Sequence, residues 1–249
     1  MSEVDKKEAW LALGQKFLNV CEGILQQANF VEADASNHKV VALTLLCRTA
    51  NNFAGARLLL ENDFIVEART LVRCSLENFF WIGGLTAKGD DFVKEMVLDD
   101  AASKFKGGAE LLQWAKKQEG AFGFEKKLED FLEKVKAENP KPPTIKHKNA
   151  ADAAAIGDAY IIYRELSRDA AHPSVTSLSR HLVDDPEGVT ALTLRAERLV
   201  EEAEVVATLE YGCFALLGVC VGTNDLVGGT TAGKELTALW EEYKALSAP

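Results

Sequence analysis

Apolar residues recur every three or four positions along most of the chain, the period of an amphipathic helix rather than a strand. Trp10, Leu13, Phe17, Val20 and Ile24 make one such stripe and predict a helix over about 4–27. A polar break follows around 32–38. The next stretch, about 39–60, is apolar on most sides, which predicts a central helix. Asn62-Asp63 is placed to cap a third helix over about 64–85. There Ile65, Ala68, Leu71, Val72, Cys74, Leu76, Phe79 and Phe80 cover much of the girth, so the two helices read as a buried hairpin. Asp90-Asp91 can cap a fourth helix over about 90–117. Gly120 to Gly123 break the chain before a short amphipathic helix carrying Phe124, Leu128, Phe131, Leu132 and Val135. Further helices are expected over about 151–166, 195–221 and 231–245.

Between 176 and 194 the pattern changes. Thr, Val and Leu become frequent, and Asp184-Asp185-Pro186-Glu187-Gly188 reads as a turn, leaving room for one small β-hairpin. All six prolines lie at or after Pro140, so nothing in the first 139 residues interrupts helix at the cost of about 3 kcal/mol that proline carries. Pro140, Pro142 and Pro143 exclude helix from the loop over 139–149. No internal repeat and no linker divides the chain. The expectation is therefore one all-α domain over 1–249, a bundle of seven or eight helices.

Composition narrows the function classes. Hydrophobic residues at 47% and charged residues at 27% are those of an ordinary globular chain. With 28 Lys and Arg against 38 Asp and Glu, the net charge of −10 argues against bulk DNA binding and against a polybasic membrane binder, because both need excess positive charge. The most basic stretch carries Lys134, Lys136, Lys141, Lys146 and Lys148 and reads as a solvated linker or, alternatively, an anion-binding patch. Five cysteines (Cys21, Cys47, Cys74, Cys213 and Cys220) include no Cys-x-x-Cys pair and sit in apolar helical stretches, which favours a reducing, cytoplasmic setting. The charged N-terminus shows no signal peptide. The longest uncharged run, 211–224, is shorter than the roughly 20 residues of a bilayer span.

Three polar features interrupt the apolar pattern. Arg69, Arg73 and Glu77 are spaced by four and share one face of the third helix, where Arg73 and Glu77 can pair. Burying such a pair is costly unless every donor and acceptor is satisfied, so it is either a structural ion pair or an anion-binding guanidinium held by a carboxylate. Thr44, Arg48, Asn51, Asn52 and Gly55 make a polar stripe on the preceding helix, facing solvent, a subunit partner or the first feature. The third feature runs from Tyr160 through Tyr163, Ser167 and Arg168 to His172, Pro173 and Ser174. There His172 can titrate near neutral pH, and Ser167 is a nucleophile only if a base lies beside it. No dinucleotide, phosphate-loop, zinc-protease or serine-hydrolase motif is present. His172 and His181 are nine apart, not a one-face helical spacing, so neither a metal nor a cofactor is expected.

The segment Glu67-Ala68-Arg69-Thr70-Leu71-Val72-Arg73-Cys74-Ser75-Leu76-Glu77, followed by Tyr163-Arg164-Glu165-Leu166-Ser167 and His172-Pro173-Ser174, resembles a bacterial all-helical family of unknown function. Its members pair an EA-x2-L-x-R-x3-E helix with a Y-x2-LS…HPS segment, and the resemblance runs over about 39–182. It implies the fold and no activity. More distantly, the chain resembles the HEPN superfamily of helical nucleases, which bring together an Arg, a polar neighbour and a His in a dimer. Arg168-Asp169-Ala170-Ala171-His172 has that order, with three residues between Arg and His. That resemblance implies His172 as general acid/base, Arg168 as a stabiliser of phosphate charge, and no need for a metal.

Three readings follow. The leading one is a non-catalytic binding or scaffolding homodimer, whose apolar helical faces exceed what one layer of partners covers. The alternatives are a HEPN-like metal-independent endoribonuclease using Arg168 and His172, and a small-molecule-binding protein or enzyme. The last would use the cluster of Arg69, Arg73, Glu77, Tyr163, Ser167 and His172.

Overall fold

Helices form where the apolar spacing demands them, and four of them bury each other. A computed structural model describes residues 2–28, 36–118, 122–138, 144–170, 174–184, 190–193 and 201–248. The long helices are α1 (Glu3–Gln27), α2 (His38–Glu61), α3 (Ile65–Lys88), α4 (Asp90–Ala115) and α9 (Glu202–Leu226). Shorter ones are α5 (Glu125–Glu138), α6 (His147–Ala153), α7 (Ala159–Ala170), α8 (Val175–Ser179) and α10 (Ala232–Ser247). The predicted stripe of α1 is fully buried, from Trp10 to Ile24. Ser2 and Asp5 cap its start reciprocally, each side chain accepting the other's backbone N–H.

The core is a layer of α1, α2, α3 and α9, with α9 packed against the other three and against α10. Among the described residues α9 is the helix long and apolar enough to cross a bilayer, and most of it is buried inside this core. Helix α9 comes close to its neighbours because glycines receive their side chains. Phe53 of α2 lies against both Gly14 of α1 and Gly212 of α9, where added methyl groups would fall 2.3 and 3.0 Å from its ring. Helices α6 and α7 cover the outer side of α3, and α4 with α5 forms an antiparallel arm beside it.

The all-α class holds, with ten helices among the described residues rather than seven or eight. Two short ones, α6 and α8, account for much of the difference. The helix expected over 151–166 is two helices, because the chain turns at Ala155, whose φ is +56°, and re-forms at Ala159. The small hairpin is present as an antiparallel pair, β1 (Leu182–Asp184) with β2 (Thr190–Leu192), in register Leu182–Leu192. Residues 185–188 of its turn lie outside the described residues, as do 194–200 at the expected start of the long helix. So do 32–35 and 139–143 of the expected breaks.

The expected caps of α3 and α4 differ in detail. Phe64, not Asn62 or Asp63, precedes α3 and offers no side-chain bond. Asn62 instead donates to the Leu58 carbonyl at the end of α2, and Asp63 makes the tight turn at φ +62°. Gly89, at φ +56°, precedes α4. Asp90 is therefore inside the helix, where its carboxylate accepts from the His38 backbone N–H at 3.0 Å and ties α4 to the start of α2. Those bonds hold the Asp90 carboxyl below its usual range.

Candidate functional site

The outer face of α3 is where polar residues concentrate in an otherwise apolar helix. Helical spacing puts Arg69, Arg73 and Glu77 one above the other, and α7 lies along them. The amphipathic pattern of α7 turns Tyr163 and Ser167 toward that row, and both are half-buried. The two motif segments, about ninety residues apart in sequence, thus meet in space.

Arg73 is the centre of the first network. Its Nε donates to Ser167 Oγ at 3.1 Å, and its Nη2 donates to Glu77 Oε1 at 2.7 Å and to Tyr163 OH at 3.4 Å. Tyr163 in turn donates to Glu77 Oε1 at 3.2 Å. The guanidinium also lies 5.3 Å from the centre of the Tyr163 ring. Burial disfavours the Arg73 charge, but Tyr163 and Glu77 outweigh it, and the guanidinium pKa is raised. Ser167 Oγ donates to the Tyr163 carbonyl at 2.7 Å, so its hydroxyl is engaged on both sides. His147, from the first turn of α6, brings Nε2 within 3.6 Å of Glu77 Oε1, while its Nδ1 is buried without a hydrogen-bond partner.

Arg69 belongs to a second network one turn earlier. Its side chain is 7% exposed and bridges Glu204 of α9 at 3.1 Å and Glu165 of α7 at 3.2 Å. Arg180, just after α8, also pairs with Glu204 through both guanidinium nitrogens. Tyr211 of α9 donates to Glu165 Oε2 at 3.2 Å. Burial, then the Glu165 charge, pushes the Tyr211 hydroxyl pKa up. The row on α3 therefore divides: Arg73 and Glu77 bind α7 and α6, while Arg69 binds α7 and α9.

The α2 stripe does not join either network. Thr44, Arg48 and Asn51 are exposed, and Thr44 bonds back to the Val41 carbonyl of its own helix. Arg168 is exposed in the last turn of α7. His172 and Pro173 lie outside the described residues, so the expected Arg168–His172 pairing has no described geometry. Among the described residues no three His, Cys, Asp or Glu side chains gather as metal ligands. Sequence reasoning missed His147, Glu165, Arg180, Glu204 and Tyr211. The one available signal was the position of Glu204 near the start of an apolar helix; the other four became partners only through the packing of α6, α7, α8 and α9.

Residues 39–189 match a family of unknown function, DUF5677, and the chain belongs to that family. No curated protein and no solved structure matches the chain.

The Tyr211 shift sets a pH dependence. A hydroxyl whose pKa is raised by folding keeps its proton longer in the folded than in the unfolded chain. Its stabilisation is full below about pH 10, the unfolded value, and is lost as the pH rises through the folded value. Burial raises Tyr243 and Cys213 in the same direction. Urea titrations across the alkaline range should therefore show unfolding free energy falling with pH, and falling less steeply in Tyr211→Phe. An identical slope in parent and variant would mean that folding does not raise the Tyr211 hydroxyl pKa.

Proposed function

We propose that this DUF5677 member is a non-catalytic binding or scaffolding protein, homodimeric and cytoplasmic, in which the Arg73 cluster is a clasp and not a reaction centre. One observation carries the reading. Arg73 donates to Ser167, Glu77 and Tyr163, and its charge is matched by Glu77 within the same helix. To bind a ligand's anionic group instead, that guanidinium would have to loosen its pairing with Glu77. Ser167, likewise, donates its hydroxyl hydrogen bond to a backbone carbonyl.

The cytoplasmic assignment rests on five free cysteines, three of them buried. Cys21 and Cys220 lie with sulfurs 3.3 Å apart, beyond the roughly 2.05 Å of a disulfide bond. The homodimer rests on apolar surface. Trp114 and Phe122, at the end of the α4–α5 arm, are each 49% exposed with ring centres 5.2 Å apart. Phe124 stands 5.8 Å from Phe122, and Leu111 and Phe131 are exposed nearby on the same two helices. An aromatic group of this size is what a subunit contact buries.

Two experiments test this. A double-mutant cycle on Arg73→Met and Glu77→Gln, read by urea denaturation, should give a coupling of about 1–3 kcal/mol, the range of a half-buried, charge-assisted bond. The parent should leave single-stranded RNA intact. Zero coupling, or RNA cleavage that disappears in His172→Ala, contradicts the reading. Light scattering at micromolar concentration should give twice the 27.1 kDa chain mass, and Trp114→Ser with Phe122→Ser should halve it. A parent that is already monomeric contradicts the dimer.

A further inference from the structure

Away from the clasp, α9 carries a second feature of the fold. Helix α3 is drawn tightly onto it: a methyl group added at Gly218 would fall 2.4 Å from the Phe79 ring, and one at Gly222 would fall 2.3 Å from Ile82. Helix α10 lies on α9 as well, its start fixed by Thr230, which donates to Asn224 Oδ1 from its backbone at 2.9 Å and its hydroxyl at 2.8 Å. Between α3 and α10 a cavity of about 590 Å³ opens over α9, and Ala154 and Ile156 reach its wall. Phe79, Phe214, Leu217, Val221, Leu236 and Trp240 line it. Val221 and Trp240 are each 40% exposed there, although both are large and apolar.

The polar lining is small and mostly committed. The hydroxyls of Thr86 and Thr237 donate to carbonyls of their own helices, and Asn224 Oδ1 accepts from Thr230. The ionisable lining residue is Asp225, which is exposed; no Lys, Arg or His lines the cavity among the described residues. Lys244, 5.5 Å from the Trp240 ring centre, is paired with Glu241 at 2.7 Å. An anion would lose its water here, gain no counter-charge and meet the Asp225 carboxylate.

We propose that this cavity binds an apolar small molecule that carries no negative charge. Its volume lies in the range of about 300–1,000 Å³ usual for small-molecule sites, and its walls have their composition: aromatic and aliphatic side chains with few polar groups. A cationic group on such a ligand would lie toward Asp225. The assignment is independent of the Arg73 clasp, which uses the other face of α3.

Titration with Nile red, a neutral apolar dye, tests it. Dye emission should rise and saturate with the parent chain. Val221→Trp and Thr237→Trp, which fill the cavity from exposed positions, should each weaken binding by about tenfold or more. Their urea midpoints should match the parent's. Anilinonaphthalene sulfonate, an anionic dye of comparable size, should bind about tenfold more weakly than Nile red. Equal Nile red affinity in the parent and both variants would overturn the proposal, and so would equal affinity for the two dyes. A fall from dimer to monomer mass in Val221→Trp would overturn it too, since a second copy would then be the occupant. Should Val221→Trp fail to fold, Thr237→Trp carries the test, because its side chain begins at the surface.

Discussion

Helix α9 can be the axis of this fold only because its neighbours can come unusually close to it. Gly212 takes the ring of Phe53, Gly218 that of Phe79, and Gly222 the side chain of Ile82. At each point a bulky group from α2 or α3 fills the space that a side chain on α9 would have used. Interiors are packed to crystal-like density, so each of these contacts fixes helix spacing as well as burying area. Once α2 and α3 sit on α9, the outer face of α3 is fixed in place, and α6 and α7 have one surface on which to pack.

That outer surface meets α7 through both apolar and polar contacts. Among the described side chains of α7, Ala159 and Leu166 are buried, and Tyr160, Ile162 and Tyr163 pack in part against the core. The remaining attraction is polar. Arg73 binds Ser167, Tyr163 and Glu77, and one turn earlier Arg69 binds Glu165 and Glu204. Hydrogen bonds to charged groups contribute about 1.5–3 kcal/mol each, and their directionality selects a single docking of α7 where apolar contact would permit sliding. His147 adds a third contact from α6. Arg73, Glu77, Tyr163 and Ser167, separate in the sequence, are in the fold each other's partners.

Much of this was legible in the sequence, for reasons that particular residues make clear. The stripe of α1 and the apolar positions of α3 follow from spacing alone; the stripe is buried, and on α3 Ile65, Ala68, Val72, Leu76, Phe79 and Phe80 are buried while Leu71 and Cys74 are half-buried. The Arg73–Glu77 pair was legible because i,i+4 neighbours on a helix face each other whatever the tertiary fold. The break between α6 and α7 was not, since it turns on Ala155 in a left-handed conformation, which nothing about alanine announces. The caps at Asn62 and Asp90 were misread because those side chains satisfy other groups: the Leu58 carbonyl in one case and the His38 backbone in the other. Glu204 and Arg180 joined the site through packing of α8 and α9, and no spacing in the sequence encodes that.

The most direct test of the clasp is native-state hydrogen exchange on the parent and on Arg73→Gln, followed amide by amide along α7. Local opening reports the stability of one element separately from the whole. If Arg73 holds α7 onto α3, the substitution lowers protection throughout α7 and leaves the amides of α1 and α9 at their parental values. Unchanged protection in α7 would show that apolar contact alone docks it, and the cluster would then have to be kept for some purpose other than holding the fold.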